Sequence, residues 1–243
     1  MKGLKKELKI RDLSFDVSYE YVNRLNCSAS IKNKKIIIKI SKHLRDEEKI
    51  KKVCDDFILW ATKKLNKIKE FDFVIPDFIK SDSIVTHNKV YEIKRIYWDK
   101  PVTQGDFEDF CTISLKIQKG LDKEEENHNV KSVIKRLIGD DQRAYLQEMM
   151  NDLNMLHFGY YYNDVKFSLS SQRFGSCSRK RNINIAVDLL FAPKEVLRYV
   201  CAHELAHLKQ FNHSDKFWEL VQSAIPEYKK YEKWLRDKGF LLR

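Results

Sequence analysis

The chain has 243 residues, of which 43% are hydrophobic, and this is enough for one large domain or two packed lobes with a substantial core. Charged residues interrupt every apolar run, so we exclude a membrane-spanning helix and expect a soluble protein that is not exported and has no membrane partner. The five cysteines are scattered without a C-x-x-C pair, which favours a reducing compartment over a disulfide framework and predicts a cytoplasmic location.

The first lobe, residues 1–120, is predicted to be rich in β-structure and to contain one long helix. Alternation of apolar and polar residues predicts strands over 15–22, 25–32, 34–41 (after a tight turn at Asn33-Lys34), the hairpin 83–96 and 110–117. Apolar residues recur at helical spacing from Ile50 to Leu65, which predicts a helix over 46–68 with a lysine-rich, solvated opposite face. His87 falls in the turn of the 83–96 hairpin, and we interpret it as a turn residue.

Much of the positive charge of the protein lies near its beginning. Residues 1–70 hold 19 Lys or Arg against 10 Asp or Glu, in a chain whose formal net charge is +11. One interpretation is a surface for nucleic acid or an acidic partner, centred on the hairpin lysines Lys32, Lys34, Lys35 and Lys39. The other is a lysine-rich solvated surface without a partner, which such a composition often produces. The sequence leaves both open.

Residues 121–243 are predicted to form a second lobe. The segment 119–129, KGLDKEEENHN, has a glycine, an acidic run and a single leucine, so we place the linker between the lobes there. The pattern beyond it predicts helices over 130–138 and 141–157, and Asp140 or Asp141 is expected to cap the second of them. Two strands are predicted over 164–178 and 182–190, joined by the basic turn 179–181. A further helix is predicted to begin at Pro193. The predicted fold class is α+β, with a β-rich N-terminal lobe followed by a helical lobe that has a small sheet.

Three of the seven histidines lie in the sequence AHELAHLKQFNHS of residues 202–214. Residues four apart on an α-helix differ by about 40° in direction, so His203 and His207 point the same way and their nitrogens can meet one ion. Zinc held by two such ligands needs at least one more protein ligand and an open position for water. Glu204 stands beside the first histidine and can take a proton from that water, which makes it the candidate general base.

His213 is the natural third ligand, provided that the helix ends before it. In a continuous helix its position would be about 9 Å along the axis from His207 and about 240° around it, far from the ion. Asn212 enters the left-handed conformation more readily than most residues and is predicted to end the helix, and Ser214 is predicted to cap the next one. A metzincin would have glycine where Gln210 stands, so we do not assign that class.

Four neighbours of this motif have more than one interpretation. Arg173 is either a cation that binds substrate or stabilises an oxyanion, or a member of a structural ion pair. Cys177 is a ligand, a nucleophile or a partly buried structural cysteine, and the three histidines already suitable for zinc favour the structural role. His157, at a predicted helix end, is interpreted as a capping or packing residue rather than a fourth ligand, and Trp218 as a packing anchor beneath the site.

The segments RFGSCS (173–178), NINI (182–185) and LLFAPKEVLRYVCAHELAHLKQFNHSDKFWELV (189–221) together resemble the YgjP-like zinc metallopeptidases, which are relatives of the SprT-like proteases. The early hairpin and its following helix are also similar to the first lobe of that family. The chain departs from the family pattern at Phe174, where tryptophan is usual, and at Ala186-Val187, where asparagine and tryptophan are usual. The resemblance implies a zincin-like catalytic lobe with zinc on His203, His207 and His213 and with Glu204 as the base.

Two functions of different classes follow from these features. The first is a zinc-dependent endopeptidase in which Glu204 activates the metal-bound water and a peptide or protein substrate lies as an added strand beside one of the 164–187 strands. The alternative is a nucleic-acid-associated binding protein in which zinc is structural and the basic N-terminal lobe makes the functional contacts. A structural site would gain nothing from Glu204 or from an open fourth position, so the endopeptidase is favoured.

Overall fold

The fold is α+β, as predicted. The computed structural model of the protein describes residues 6–10, 13–32, 35–66, 76–170 and 172–242, and within these ranges it contains six α-helices and three small sheets. By the contacts within the chain, the molecule divides into two compact units, Met1–Phe71 with Leu235–Arg243, and Asp72–Trp234.

The smaller unit contains a four-stranded sheet and one long helix. Its strands are β1 Lys6–Ile10, β2 Leu13–Val22, β3 Ser28–Lys32 and β4 Lys35–Ser41, in the order β1-β2-β4-β3. The pair β2–β4 is parallel and the neighbouring pairs are antiparallel. Alternate residues of β4 (Ile36, Ile38 and Ile40) are fully buried, and helix α1, Glu47–Asn66, packs against this strand. The predicted hairpin strands and helix are therefore confirmed, whereas the turn at Asn33-Lys34 lies outside the described residues.

The lysines of the predicted polyanion surface are described only in part. Lys34 and the side chain of Lys32 lie outside the described residues. Lys39 pairs with Glu20 of the neighbouring strand, with 3.3 Å between Nζ and Oε2. A surface ion pair of this kind is worth little in stability, about 0 to 1 kcal/mol. Nucleic-acid binding by this unit stays a prediction.

A second four-stranded sheet begins the larger unit. Its strands are β5 Ser83–Val85, β6 Val90–Trp98, β7 Gln104–Phe107 and β8 Thr112–Gln118, in the order β5-β6-β8-β7. The hairpin and the strand predicted here are confirmed, and β7 is additional. Helix α2, Lys123–Asp141, follows this sheet. The helix begins at Lys123 because the side chain of Asp122 caps it by accepting hydrogen bonds from the backbone N–H groups of Glu124 and Glu125. Residues 123–129, which the sequence assigns to a linker, therefore belong to this helix.

The predicted lobe boundary between residues 120 and 121 lies inside the larger unit. The reason is a polar network that ties the second sheet to α2. The hydroxyl of Tyr91 donates to the carboxylate of Asp141, and Lys89 Nζ lies 2.8 Å from the same carboxylate. Gln142 Nε2 donates to the Tyr91 hydroxyl at 2.7 Å. Asp141 is thus engaged with the sheet instead of capping the next helix, whose N-cap position is taken by Gln142.

The third sheet has three strands and follows helix α3, Arg143–Leu153, and a π-helical turn, Asn154–Phe158. Its strands are β9 Asp164–Ser168, β10 Gly175–Cys177 and β11 Asn182–Ala186. Strand β11 pairs parallel with β9 and antiparallel with β10, so β10 is an edge strand. The single strand predicted over 164–178 is wrong, because the chain must cross from one side of β11 to the other between β9 and β10. The hairpin through the basic turn 179–181 is confirmed.

The remaining elements are helical. They are a 3-10 helix Val187–Phe191, α4 Lys194–Ala206, α5 Asp215–Ala224, α6 Tyr228–Lys238 and a 3-10 turn Gly239–Leu241. A buried ion pair between Asp188 and Lys135 of α2 fixes the segment that leads into α4. In the part of the chain that the structure describes, no helix combines the length and apolarity needed to cross a membrane.

Candidate metal centre

Helix α4 carries His203, and His207 is its C-cap residue; most of the helix is buried. Pro193 occupies its N-cap position, where the missing N–H costs no helical hydrogen bond, as predicted. The buried residues of the helix are Val196, Leu197, Tyr199, Val200, Cys201, Ala202, Glu204, Leu205 and Ala206. Because α4 packs against α3, α5 and strands β10 and β11, its polar side chains are held in a desolvated setting.

The helix ends earlier than the sequence indicates. The last helical residue is Ala206, and the next bonds close a tighter turn, from Leu208 N to Leu205 O at 3.0 Å and from Lys209 N to Ala206 O at 3.1 Å. Asn212 does not adopt the left-handed conformation predicted for it. Ser214 does occupy the N-cap position of α5, but its side chain makes no capping hydrogen bond.

This turn brings the three histidines together. Potential ligand atoms of His203, His207 and His213 all lie within 4.8 Å of one another, and Nε2 of His203 is 3.1 Å from Nε2 of His213. Two nitrogens that bind one tetrahedral zinc ion at 2.0 to 2.1 Å are separated by about 3.3 Å, so this spacing suits a shared ion. The structure therefore assembles the three residues that the sequence predicts as ligands.

Aromatic side chains and a backbone carbonyl hold the imidazoles in place. The fully buried ring of Phe217 lies 4.6 to 4.8 Å from the ring centres of all three histidines. Trp218 stacks on His213 at 5.8 Å and on Tyr228 at 5.1 Å, which supports the packing role predicted for it. Nδ1 of His207 lies 2.9 Å from the carbonyl oxygen of Gln210. A carbonyl only accepts, so Nδ1 carries the proton and Nε2 keeps its lone pair for an ion.

The electrostatic setting favours the neutral form of His203 and of His207. Burial, with His207 and His213 nearby, lowers the pKa of His203 to about 3. Burial and His213 also lower the pKa of His207. A histidine must be unprotonated to bind a metal ion, so the lowered pKa values mean that protons compete less with the ion for His203 and His207. A cluster of three imidazoles is a donor set that divalent transition metals, zinc among them, commonly take.

Glu204 is almost completely buried, with 4% of its surface exposed. Its Oε2 has no hydrogen-bond partner among the described residues. Burial raises the pKa of Glu204 to about 8, although the charge of Arg173 acts in the opposite direction. A carboxylate with an unused acceptor in a desolvated place has the properties of a general base rather than of a structural ion-pair member.

Arg173 is exposed, and it lines a pocket beside Glu204. The pocket has a volume of about 290 Å³ and a polar lining, which comprises Ser168, Ser170, Gln172, Arg173, Gly175, Ser176 and Asn184. Its described lining contains one cation and no carboxylate. Among the described residues, Arg173 has no carboxylate within 4.0 Å. The structural ion pair considered for it is therefore not observed. A substrate-binding role for Arg173 stays a prediction.

Cys177 and His157 lie outside the histidine cluster. Burial and the charge of Glu204 raise the pKa of the Cys177 thiol to about 11, so the thiol stays protonated at neutral pH. A protonated thiol is neither a good nucleophile nor a ligand, which agrees with a structural role. His157 is exposed on the π-helical turn. His87 does more than occupy a turn, since its Nε2 lies 2.6 Å from the carbonyl oxygen of Ala192, just before α4.

Three contributors to the site were missed in the sequence. Phe217 forms its apolar floor, Gln210 orients His207, and Gly175 leaves the space in which Glu204 lies. Gln210 lies between His207 and His213 in the sequence, and Phe217 follows His213 by four residues. Their nearness to the histidines in the sequence indicated that they could contact them. The role of Gly175 depends on a contact between two segments far apart in sequence.

The family model of the YgjP-like proteins, described as a metallopeptidase domain, matches residues 25–238. The chain belongs to this family. The matched residues include all three histidines, Glu204 and Arg173.

Similar proteins include one curated enzyme and two solved structures. The UTP pyrophosphatase of Escherichia coli (strain K12) is 34% identical over 65 residues, which are 27% of this chain and 39% of that protein. The chain thus matches well under half of that relative's length. The metallopeptidase zymogen abylysin of Pyrococcus abyssi is 22% identical and covers 39% of this chain and 95% of its own, with a TM-score of 0.35. The zymogen jannalysin of Methanocaldococcus jannaschii is 20% identical and covers 39% of this chain and 96% of its own, also with a TM-score of 0.35.

Proposed function

We propose that this protein is a zinc-dependent peptidase in which His203, His207 and His213 hold the ion and Glu204 is the general base. The observation that carries the proposal is the convergence of three imidazoles beside a buried carboxylate with an unused acceptor oxygen. A structural zinc site has no need of such a carboxylate, because its ligands close the coordination sphere without leaving a position for water.

Each of these residues has a chemical task. Zinc on the three histidines would supply Lewis acidity, which lowers the pKa of a water molecule and polarises the carbonyl of the substrate. Glu204 accepts a proton from the attacking water and returns it to the leaving nitrogen. Burial raises the pKa of Glu204 and the positive charge of Arg173 opposes that rise, which leaves the pKa at about 8, close enough to neutral pH for a general base.

The edge strand β10 supports a peptide as the substrate. Its position in the order β10-β11-β9 leaves one side of the strand without a partner strand among the described residues. An extended peptide can add to such an edge through main-chain hydrogen bonds. Gly175 of this strand is in contact distance of Glu204, so a peptide bound along β10 would run close to the base.

A nucleoside triphosphate is the second candidate substrate. One observation favours it: the pocket beside Glu204 is polar, contains the cation Arg173 and has no carboxylate in its described lining, which suits a phosphate group. The similar protein named UTP pyrophosphatase points the same way. The water activated by Glu204 would then attack a phosphorus atom instead of a carbonyl carbon.

The deciding experiment compares both substrate classes on one preparation. The zinc-loaded chain is incubated with a peptide mixture and an unfolded protein, and separately with UTP and the other nucleoside triphosphates. Peptide cleavage that is lost in Glu204→Gln supports the peptidase. Release of pyrophosphate from nucleotides alone, also lost in Glu204→Gln, replaces it with the second candidate. If neither substrate class is hydrolysed, the alternative of a nucleic-acid-associated protein with structural zinc takes precedence.

A further inference from the structure

Gly175 of strand β10 lies unusually close to the side chain of Glu204. A methyl group on the Gly175 Cα would be 2.4 Å from Oε1, 2.8 Å from Cδ and 2.8 Å from Cγ of Glu204. Real Cβ atoms essentially never come within 3.0 Å of another heavy atom in this way. All three of the nearest atoms belong to the side chain of Glu204, which therefore occupies the space that a side chain at position 175 would fill.

The backbone gives no other reason for a glycine at this position. The described glycines with a positive φ angle are Gly120 and Gly159, whereas Gly175 has ordinary backbone geometry in a strand. Glycine inside a strand is unfavourable, because it loses more conformational freedom on folding and has no side chain to pack. Its presence in β10 is therefore explained by space for the carboxylate and not by a turn.

The contact joins two parts of the proposed site. Glu204 lies on α4 between the histidine ligands, and β10 is the edge strand beside it. The backbone of β10 is held in turn by β11, with Gly175 opposite Ile185. The wall against which the carboxylate rests is thus a paired backbone, which is far stiffer than a side chain in that place would be.

We propose that Gly175 is a positioning residue for the general base: its bare Cα lets the carboxylate of Glu204 lie against strand β10, and this wall sets where the carboxylate stands. The inference rests on the proposed function only in naming Glu204 the base. A side chain at position 175 would push the carboxylate away from its place, because the three atoms nearest to its Cβ all belong to Glu204. Displacement of a catalytic group by about 1 Å typically costs about 100-fold in rate.

The test is a double-mutant cycle between positions 175 and 204, measured by thermal unfolding and therefore independent of activity. Gly175→Ala alone should lower the melting temperature by about 5 °C, because a methyl group is forced into occupied space. In a Glu204→Ala background the same change should cost nothing, because the atoms it meets are gone. If the single variant does not fold, folding of the double variant supplies the same evidence. An equal loss in both backgrounds would overturn the proposal.

Gly139→Ala is the matched control. A methyl group there would lie 3.2 Å from Cβ of Phe167 and 3.4 Å from Cγ2 of Val187, and Glu204 is not among its close neighbours. Its effect on the melting temperature should be the same with and without Glu204→Ala. A coupling to position 204 as large as that of Gly175 would show that the cycle reports general packing, and the proposal would fail.

Activity gives a second readout. Zinc-loaded Gly175→Ala should retain its metal content and a near-normal KM while kcat falls about 100-fold, since the ligands and the outer edge of β10 are unchanged. Unchanged kcat in a folded, zinc-loaded Gly175→Ala would overturn the positioning role. Failure of the wild type to hydrolyse any substrate would instead refute the proposed function, and the unfolding cycle would still decide whether Gly175 holds Glu204 in place.

Discussion

Replacement of Glu204 by glutamine should change how the stability of the metal-free protein depends on pH. Burial raises the pKa of Glu204 from 4.5 to about 8, so between these values the folded chain holds a proton that the unfolded chain releases. Stability from this group is therefore fully present below pH 4.5 and is lost as the pH rises to about 8. Glutamine has nearly the same shape and does not ionise, so the variant lacks this loss.

The size of the effect follows from the pKa. Each pKa unit of difference between folded and unfolded states corresponds to about 1.4 kcal/mol, and a carboxyl group with 4% exposure is little screened by solvent. The free energy of unfolding of the wild type should therefore fall by about 4 kcal/mol relative to Glu204→Gln between pH 4.5 and pH 8. His203 titrates with the opposite sign, because its pKa is lowered to about 3, but it is present in both proteins and its contribution cancels.

Urea unfolding of the two metal-free proteins at several pH values measures this difference directly. Adding zinc serves as the control, since a nearby cation lowers the pKa of Glu204 and should shrink the pH dependence. A difference between the proteins that stays constant from pH 4.5 to pH 8 would refute the argument that Glu204 is buried as a protonated acid.

Three further changes test other parts of the structure. His207→Ala should remove most of the bound zinc, which elemental analysis of the purified variant checks; full occupancy would contradict the ligand assignment. Asp188→Asn leaves Lys135 buried without its ion-pair partner and should cost about 3 to 5 kcal/mol of stability, measured by urea unfolding against wild type. Cys177→Ala should keep hydrolysis close to wild type, because the thiol stays protonated at neutral pH; loss of kcat with zinc retained would assign the cysteine a chemical task.

The features predicted correctly from the sequence depend on short-range spacing. The distance between His203 and His207 is one helical turn, and the apolar pattern of α4 is strong enough to define the helix. The approach of His213 to these two histidines was also predicted, although for a reason that the structure corrects: the helix ends at Ala206 through a tight turn, and Asn212 has no left-handed backbone. The composition of the segment predicted that the helix ends before His213, but it did not predict the geometry of the turn.

The features that were missed depend on contacts between distant segments. The second sheet belongs to the same compact unit as the three histidines, because the Tyr91 hydroxyl forms hydrogen bonds with Asp141 and Gln142. These residues form no recognisable sequence motif. The split of the 164–178 segment into β9 and β10 follows from pairing on opposite sides of β11, which alternation within one segment cannot reveal. Gly175 stood in the predicted motif, but its role appears only when β10 is placed against α4.

The burial of α4 explains why the pKa values of two adjacent residues, His203 and Glu204, shift in opposite directions. The same desolvation that lowers the pKa of His203 raises the pKa of Glu204, since burial disfavours the charged form of both. Without an ion, the His203 imidazole is therefore unprotonated and the Glu204 carboxyl group is mostly protonated at neutral pH. Binding of a divalent cation by the imidazoles favours release of the Glu204 proton, because the ionised carboxylate then has an opposite charge nearby. Binding of a metal by the histidines and ionisation of Glu204 would thus be coupled.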